Sequence, residues 1–243
     1  MLGSIQPQPL DNAADGTIPV AAIEAAIKPD DSHFAKTRLI ALENTIGGKV
    51  LPGNYVATVR ALADRRKLAM HLDGARLWNA AVKRGVAPGE IARGFDSGSV
   101  CLSKGLGAPA GSLLCGGRAF IGAAHRWRKM LGGGMRQAGI LAAAGRYAIA
   151  HHVERLAGDH DNAARLAAGL AKHAALEVST PQTNMVFVGV EPGRANAFAA
   201  HLAAQGVLVT GTAKQRWVTH LDVARADVDR ALAVVDAFFA GGR

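Results

Sequence analysis

The stretch Ser99 to Gly117, SVCLSKGLGAPAGSLLCGG, constrains this chain more than any other. Val100 and Leu102 lead into Ser103–Lys104, a loop of Gly, Ala and Pro follows, and a second apolar run, Ser112 to Cys115, takes the chain back. The pattern predicts strand, tight loop, strand, with one lysine at the end of the first strand and nothing bulky beside it. A lysine held among small apolar residues is desolvated. Desolvation disfavours the ammonium form, which is what a Schiff-base nucleophile requires. An ordinary surface lysine in a glycine-rich turn is the competing reading, because most lysines are exposed.

A second stretch bears on that choice. Lys67 to Asn79, KLAMHLDGARLWN, is an apolar run that ends in His71 and Asp73 and passes into Gly74. A carboxylate at the carboxyl end of a buried strand sits where open α/β sheets bind their ligands. Between Asp73 and Lys104 there is room for one helix, Leu77 to about Arg84, and one short strand, so the two residues are expected side by side at one sheet edge. Pyridoxal phosphate needs such a pair: a lysine for its aldehyde and a carboxylate that keeps its ring nitrogen protonated. Further on, Arg126 to Gly139, RWRKMLGGGMRQAG, sets consecutive glycines between a basic segment and an alanine-rich helix. Such glycines let backbone approach an anion closely; a flexible linker with solvated arginines is the other reading.

Four segments, HLDGARLWNAA (71–81), SVCLSKGLGAPAGSLL (99–114), RWRKMLGGGMRQAGILAAAGRYAI (126–149) and RWVTHLDV (216–223), closely resemble the low-specificity L-threonine aldolases and come in that family's order. Those are pyridoxal-phosphate enzymes of the aspartate-aminotransferase fold type, and the resemblance runs over almost the whole chain. It implies an α/β fold: a fold-type-I large domain with a mostly parallel sheet, and a small C-terminal α+β domain. It further implies that Lys104 holds the cofactor and that Asp73 keeps the pyridinium protonated. Arg76 contacts the cofactor and, with Arg216, grips the substrate carboxylate, a task suited to planar guanidinia. Arg136 and Lys129 face the cofactor phosphate, within the chain or from a neighbouring subunit. His33 resembles a family histidine over the substrate hydroxyl and is the candidate base; a solvated loop histidine is the alternative. Where family members carry His-Asn after Glu-Asn-Thr, Ile46-Gly47 stands here, so any role for that imidazole is lost.

The implied reaction is cleavage of L-threonine, L-allo-threonine and related β-hydroxy-α-amino acids to glycine and an aldehyde, by a homo-oligomer with sites at dimer interfaces. Another pyridoxal-phosphate reaction on the same fold, such as β-elimination, is an alternative. The opening of the chain resembles the middle of those aldolases, whose upstream part, about a hundred residues and so the size of a small domain, supplies a phosphate cradle, an imidazole stacked on the ring and a hydroxyl near the substrate carboxylate. A truncated, inactive or weakly active homologue is therefore a further alternative.

The net charge of +9 raises the question of nucleic acid, but the arginines are scattered and no basic run is interleaved with aromatics, so no such partner is expected. No apolar run approaches a membrane span, and MLGSIQPQPLDNAADGT lacks a basic region followed by an apolar core, so neither a membrane nor a signal peptide is expected. Cys101 and Cys115 flank the lysine loop and read as reduced core residues of a cytoplasmic protein. No metal is implied. Residues 1–155 are expected to form the large domain and 156–243 the small one. Expected elements include helices over 18–27, 54–66, 140–155, 193–205 and 226–239, and strands over 37–42, 182–190 and 215–221.

Overall fold

The computed structural model describes residues 3–241. Helix α1 (Val20–Ala26) precedes strand β1 (Leu39–Glu43), helix α2 (Gly53–Arg66), strand β2 (Ala69–Gly74), helices α3 (Leu77–Arg84) and α4 (Pro88–Ala92), and strand β3 (Ser97–Cys101). The chain then returns in β4 (Ser112–Gly116) and enters α5 (Arg118–Met130), α6 (Gly139–His151) and α7 (Leu156–Leu170). The last part is β5 (Leu176–Val178), β6 (Met185–Val190), α8 (Pro192–Ala204), β7 (Lys214–Val218) and α9 (Arg225–Ala240).

Two sheets result. The first has the order β1-β2-β3-β4; β1, β2 and β3 run parallel through helical crossovers, and β4 pairs antiparallel with β3. Parallel pairing forces the carboxyl ends of β1, β2 and β3 onto one edge, which is where Glu43, Asp73 and the lysine loop gather. Alternation along the strands sends Ile40, Leu42, Met70, Leu72 and Val100 to one face. Val59 and Leu62 of α2 cover Ile40, Leu42 and Met70, while Leu77 and Ala80 of α3 pack with Leu72 and Val100. Each fully buried aliphatic side chain contributes roughly 1.5–3 kcal/mol. Helix α3 stops where Gly85 takes the left-handed conformation, φ 64°, that a glycine adopts without strain. The opposite sheet face, carrying Leu39, Ala41, Asp73 and Leu114, is exposed.

The second sheet, β5-β6-β7, is antiparallel and packs its inner face on α7, α8 and α9. Phe198 is at the centre, fully buried, with the rings of Phe238 and Phe239 at 5.2 and 5.9 Å. The two sheet units meet along a seam of hydrogen bonds: Thr183 Oγ1, buried, donates to the Gly48 carbonyl at 2.7 Å, and at the exposed rim the Val50 amide donates to Gln182 Oε1 at 2.8 Å.

Three expectations need correction. The helix expected over 140–155 breaks after His151, because His152 and Arg155 turn their side chains to the carbonyls of Leu106 and Gly105. Cys115 is exposed and Cys101 only partly buried, because β4 is an edge strand bonded on one side. Lys104 is exposed as well: the loop turns Leu102, Leu106 and Ala108 inward and leaves the lysine on the open side, so burial does not desolvate it. Helix α5, unanticipated as an element, holds Arg126, Arg128 and Lys129 and buries none of its residues. Among the described residues no helix is long and apolar enough to cross a membrane.

Candidate active site

Asp73 and Glu43 are register partners at the ends of β2 and β1, and Asp73 also faces Ser99 of β3. The Asp73 carboxylate accepts the Ala75 amide at 3.0 Å, a short turn that delivers Arg76 to the start of α3. Gly74 is required by close approach: a Cβ there would lie 2.7 Å from the Ser99 carbonyl. Lys104 follows β3 by three positions, and the Gly107 amide closes the turn on its carbonyl at 2.9 Å.

Electrostatics tie these groups into one site. Burial, and then the neighbouring Asp73 carboxylate, push the Glu43 carboxyl above its ordinary range, against the pull of Arg76 and Lys104. Burial, and then the Arg216 guanidinium, lower the Arg76 pKa, against Glu43, Cys101 and Asp73. Arg216, on β7 of the second sheet and paired with Phe187, is thus brought to Arg76 across the seam. Asp73, Arg76 and Lys104 thus act on Glu43, and Arg216 acts on Arg76. Glu43 joins the expected residues; its position at a strand's carboxyl end was the signal, but nothing in the sequence distinguished it from a solvated carboxylate.

Three candidates have no contact with this cluster among the described residues. His33 is in the loop after α1, its side chain 86% exposed, with Nδ1 bonded to Asp31 Oδ1 at 2.7 Å. The Asp31 carboxylate, which also accepts the His33 amide, is lowered by these two bonds. Lys129 and Arg136 line a concavity of about 500 Å³ with His125, Arg126 and Arg128. No hydrogen bond joins His33, Lys129 or Arg136 to the strand-end cluster among the described residues. Nor does any group of three or more His, Cys, Asp or Glu stand placed for a metal ion among them.

The donor set fits pyridoxal phosphate. An exposed primary amine and a carboxylate at adjoining strand ends suit its aldehyde and ring nitrogen, and the sheet face above them is open. Two guanidinia held near each other, one of them half-buried, repel unless an anion lies between them.

The comparisons agree with this chemistry. The beta-eliminating lyase family matches residues 1–192. The low specificity L-threonine aldolase of Escherichia coli (strain K12) is 51% identical over 240 residues, covering 99% of this chain and 72% of that protein. Low-specificity L-threonine aldolase 1 of Arabidopsis thaliana is 40% identical over 244 residues, covering 96% and 68%. Among solved structures, the Leishmania major threonine aldolase shares the fold at a TM-score of 0.77 and 22% identity, with 93% of this chain and 68% of that one covered. With such identity over nearly its whole length, the chain belongs to the low-specificity L-threonine aldolase family of pyridoxal-phosphate enzymes.

Proposed function

We propose that this chain cleaves threonine, allo-threonine and related β-hydroxy-α-amino acids into glycine and an aldehyde, with Lys104 and Asp73 holding pyridoxal phosphate. The observation that supports the reading is that Asp73, Arg76 and Lys104 all act on Glu43 at the strand ends, while Arg216 of the second sheet acts on Arg76. When bound, the cofactor supplies an electron sink for the pair left at Cα when the Cα–Cβ bond breaks. Arg76 and Arg216 take the substrate carboxylate between them. That grip fixes rotation about the N–Cα bond, and with it which bond at Cα is cleaved. Asp31 accepts the Nδ1 proton of His33 and leaves Nε2 as the basic nitrogen, which takes the proton of the β-hydroxyl.

Arg136 and Lys129 serve the cofactor phosphate, reached from a neighbouring copy of the chain. Exposed Leu113, Leu114, Phe120, Trp127, Met130 and Ile140 on and beside β4 and α5 support a homo-oligomer, since monomers rarely leave so many large apolar side chains in water. The unpaired cysteines suit the cytoplasm. Residues 1–155 and 156–243 act as two domains.

The test is the visible absorbance of the protein loaded with pyridoxal phosphate, before and after borohydride, in wild type and Lys104→Ala. A band that borohydride fixes on Lys104, with threonine-dependent release of glycine and acetaldehyde, is the expected result. No band in a folded wild type refutes the reading. The match to the beta-eliminating lyase family favours β-elimination as the second reading; it releases ammonia and a keto acid in place of glycine and aldehyde.

A further inference from the structure

Lys104 follows a strand of the first sheet and Arg216 lies in the second, and the proposed reaction requires an amino acid to meet both. A chain of bonds through the start of α7 joins their supports. Arg155, at the N-cap of α7, donates from Nη1 to the Gly105 carbonyl at 3.0 Å, one residue beyond Lys104. Its other arm, Nη2, pairs with Asp159 Oδ1 one helical turn on. The Asp159 carbonyl in turn accepts Thr219 Oγ1 at 2.6 Å, three residues beyond Arg216. Thr219 is itself fixed to Asn184: its amide donates to the Asn184 carbonyl at 3.1 Å, and Asn184 Nδ2 donates back to the Thr219 carbonyl at 3.0 Å.

We propose that Arg155 and Asp159 are positioning residues that set the separation between Lys104 and Arg216. The proposal rests on the reading that these two residues take the amine-binding cofactor and the substrate carboxylate. Several observations favour a positioning role over a stabilising ion pair. Asp159 is 2% exposed, yet its Oδ2 has no hydrogen-bond partner among the described residues. Burial raises its carboxyl pKa, and Arg155, then His220, oppose that rise. A buried, half-satisfied pair adds little stability compared with an apolar replacement, whereas its two ends specify geometry. The guanidinium's two arms matter for the same reason: one grips the loop carbonyl and the other the helix, which a lysine's point charge cannot do together. Gly105 lets the loop lie this close, since a Cβ there would sit 2.8 Å from Leu156 Cδ2.

The experiment compares glycine with ethylamine, an amine of similar size that lacks the carboxylate, as ligands of the protein loaded with pyridoxal phosphate. Binding is followed by the change in visible absorbance in wild type, Arg155→Lys, Asp159→Asn, Thr219→Val and Thr219→Ser, with urea unfolding of each. The expected result is a loss of roughly tenfold or more in glycine affinity in the first three variants, with ethylamine affinity unchanged and the Lys104 band retained. Thr219→Ser, which keeps the hydroxyl, binds glycine as wild type does. Equal losses for both amines, or unchanged glycine affinity in folded variants, would overturn the proposal. Should Asp159→Asn fail to fold, the Thr219 pair decides alone. Failure of the underlying reading looks different: wild type then shows no Lys104 band, or Arg216→Lys binds glycine undiminished.

Discussion

Replacing Gly105 with alanine tests how firmly the lysine loop is clamped. The added methyl would lie 2.8 Å from Leu156 Cδ2 and 3.3 Å from Asn79 Oδ1. Neither neighbour has room to retreat: Leu156 is fully buried, and Asn79 is 2% exposed with its Nδ2 donating to His160 Nε2 at 3.1 Å. Restoring ordinary carbon–carbon contact requires a shift of about 0.7 Å or more. Such overpacking costs about 1–3 kcal/mol, equivalent to a Tm lowered by roughly 2–12 °C in a chain of this size. The shift falls on the residue next to Lys104, so cofactor uptake weakens as well. Urea titration and cofactor titration of Gly105→Ala read the two effects. Leu156→Ala alone leaves a cavity and costs about 2–5 kcal/mol, but in the double variant the new methyl occupies part of that space. The two changes should therefore fall short of additivity by about 0.5–3 kcal/mol. Wild-type stability of Gly105→Ala, or a strictly additive cycle, would refute the clamp.

Phe198→Ala removes the ring at the centre of the second core and should cost about 3–5 kcal/mol, seen as a lower urea midpoint with the Lys104 band retained in the folded protein. His160 is held down to about 4 from 6.5, by burial first and then by Lys83, so the unfolded chain takes up the proton first. Its contribution is full above 6.5 and is lost as pH falls toward 4; His160→Gln should flatten the loss in urea midpoint across that window, and an unchanged slope would count against a buried neutral imidazole. Glu43 has the opposite sign: its raised pKa means that the folded state holds the proton more tightly than the unfolded chain. Its contribution is present below 4.5 and lost as pH rises through the folded value, so Glu43→Gln should be at least as stable as wild type near neutrality. A marked drop in its urea midpoint would show that Glu43 is a needed counter-charge.

Much of the first sheet was legible because its rules are local. Helical spacing of Val59, Leu62 and Ala63 marked α2, and an apolar run ending at His71 and Asp73 marked β2. The neighbourhood of Asp73 and Lys104 followed from parallel crossovers, which leave few ways to arrange three strand ends. What the sequence could not give depends on partners far along the chain. The break between α6 and α7 is set by the carbonyls of Leu106 and Gly105, 46 and 50 positions away. Lys104 was expected to be desolvated because its flanks are small and apolar, yet those flanks face inward while the lysine does not. Cys115 sits in a run that reads as core, and only the strand order shows it to be an edge. Arg155 and Asp159 carry no motif; their meaning lies in two carbonyls and a hydroxyl from three different elements.

The like charges of Arg76 and Arg216 bear on why the seam is built from hydrogen bonds. Two guanidinia drawn together repel, and the repulsion grows as one of them leaves water. Nothing in that contact holds the second sheet against the first, so other bonds must. Thr183 to Gly48, Arg155 to Gly105 and Thr219 to Asp159 all end on backbone carbonyls, acceptors that no side-chain rotation can withdraw. A carboxylate entering between the arginines converts the repulsive contact into a bridge that accepts from both sides. The same bridge binds only the state in which the seam is closed, so an amino-acid ligand should tighten the seam as it binds. Hydrogen exchange at the Val50 amide, which donates across the seam to Gln182, reads this directly: slower exchange with glycine present, and no change with ethylamine, is the expected result. Equal protection by both amines would place the tightening on the lysine side and leave the arginine pair without a role in closing the seam.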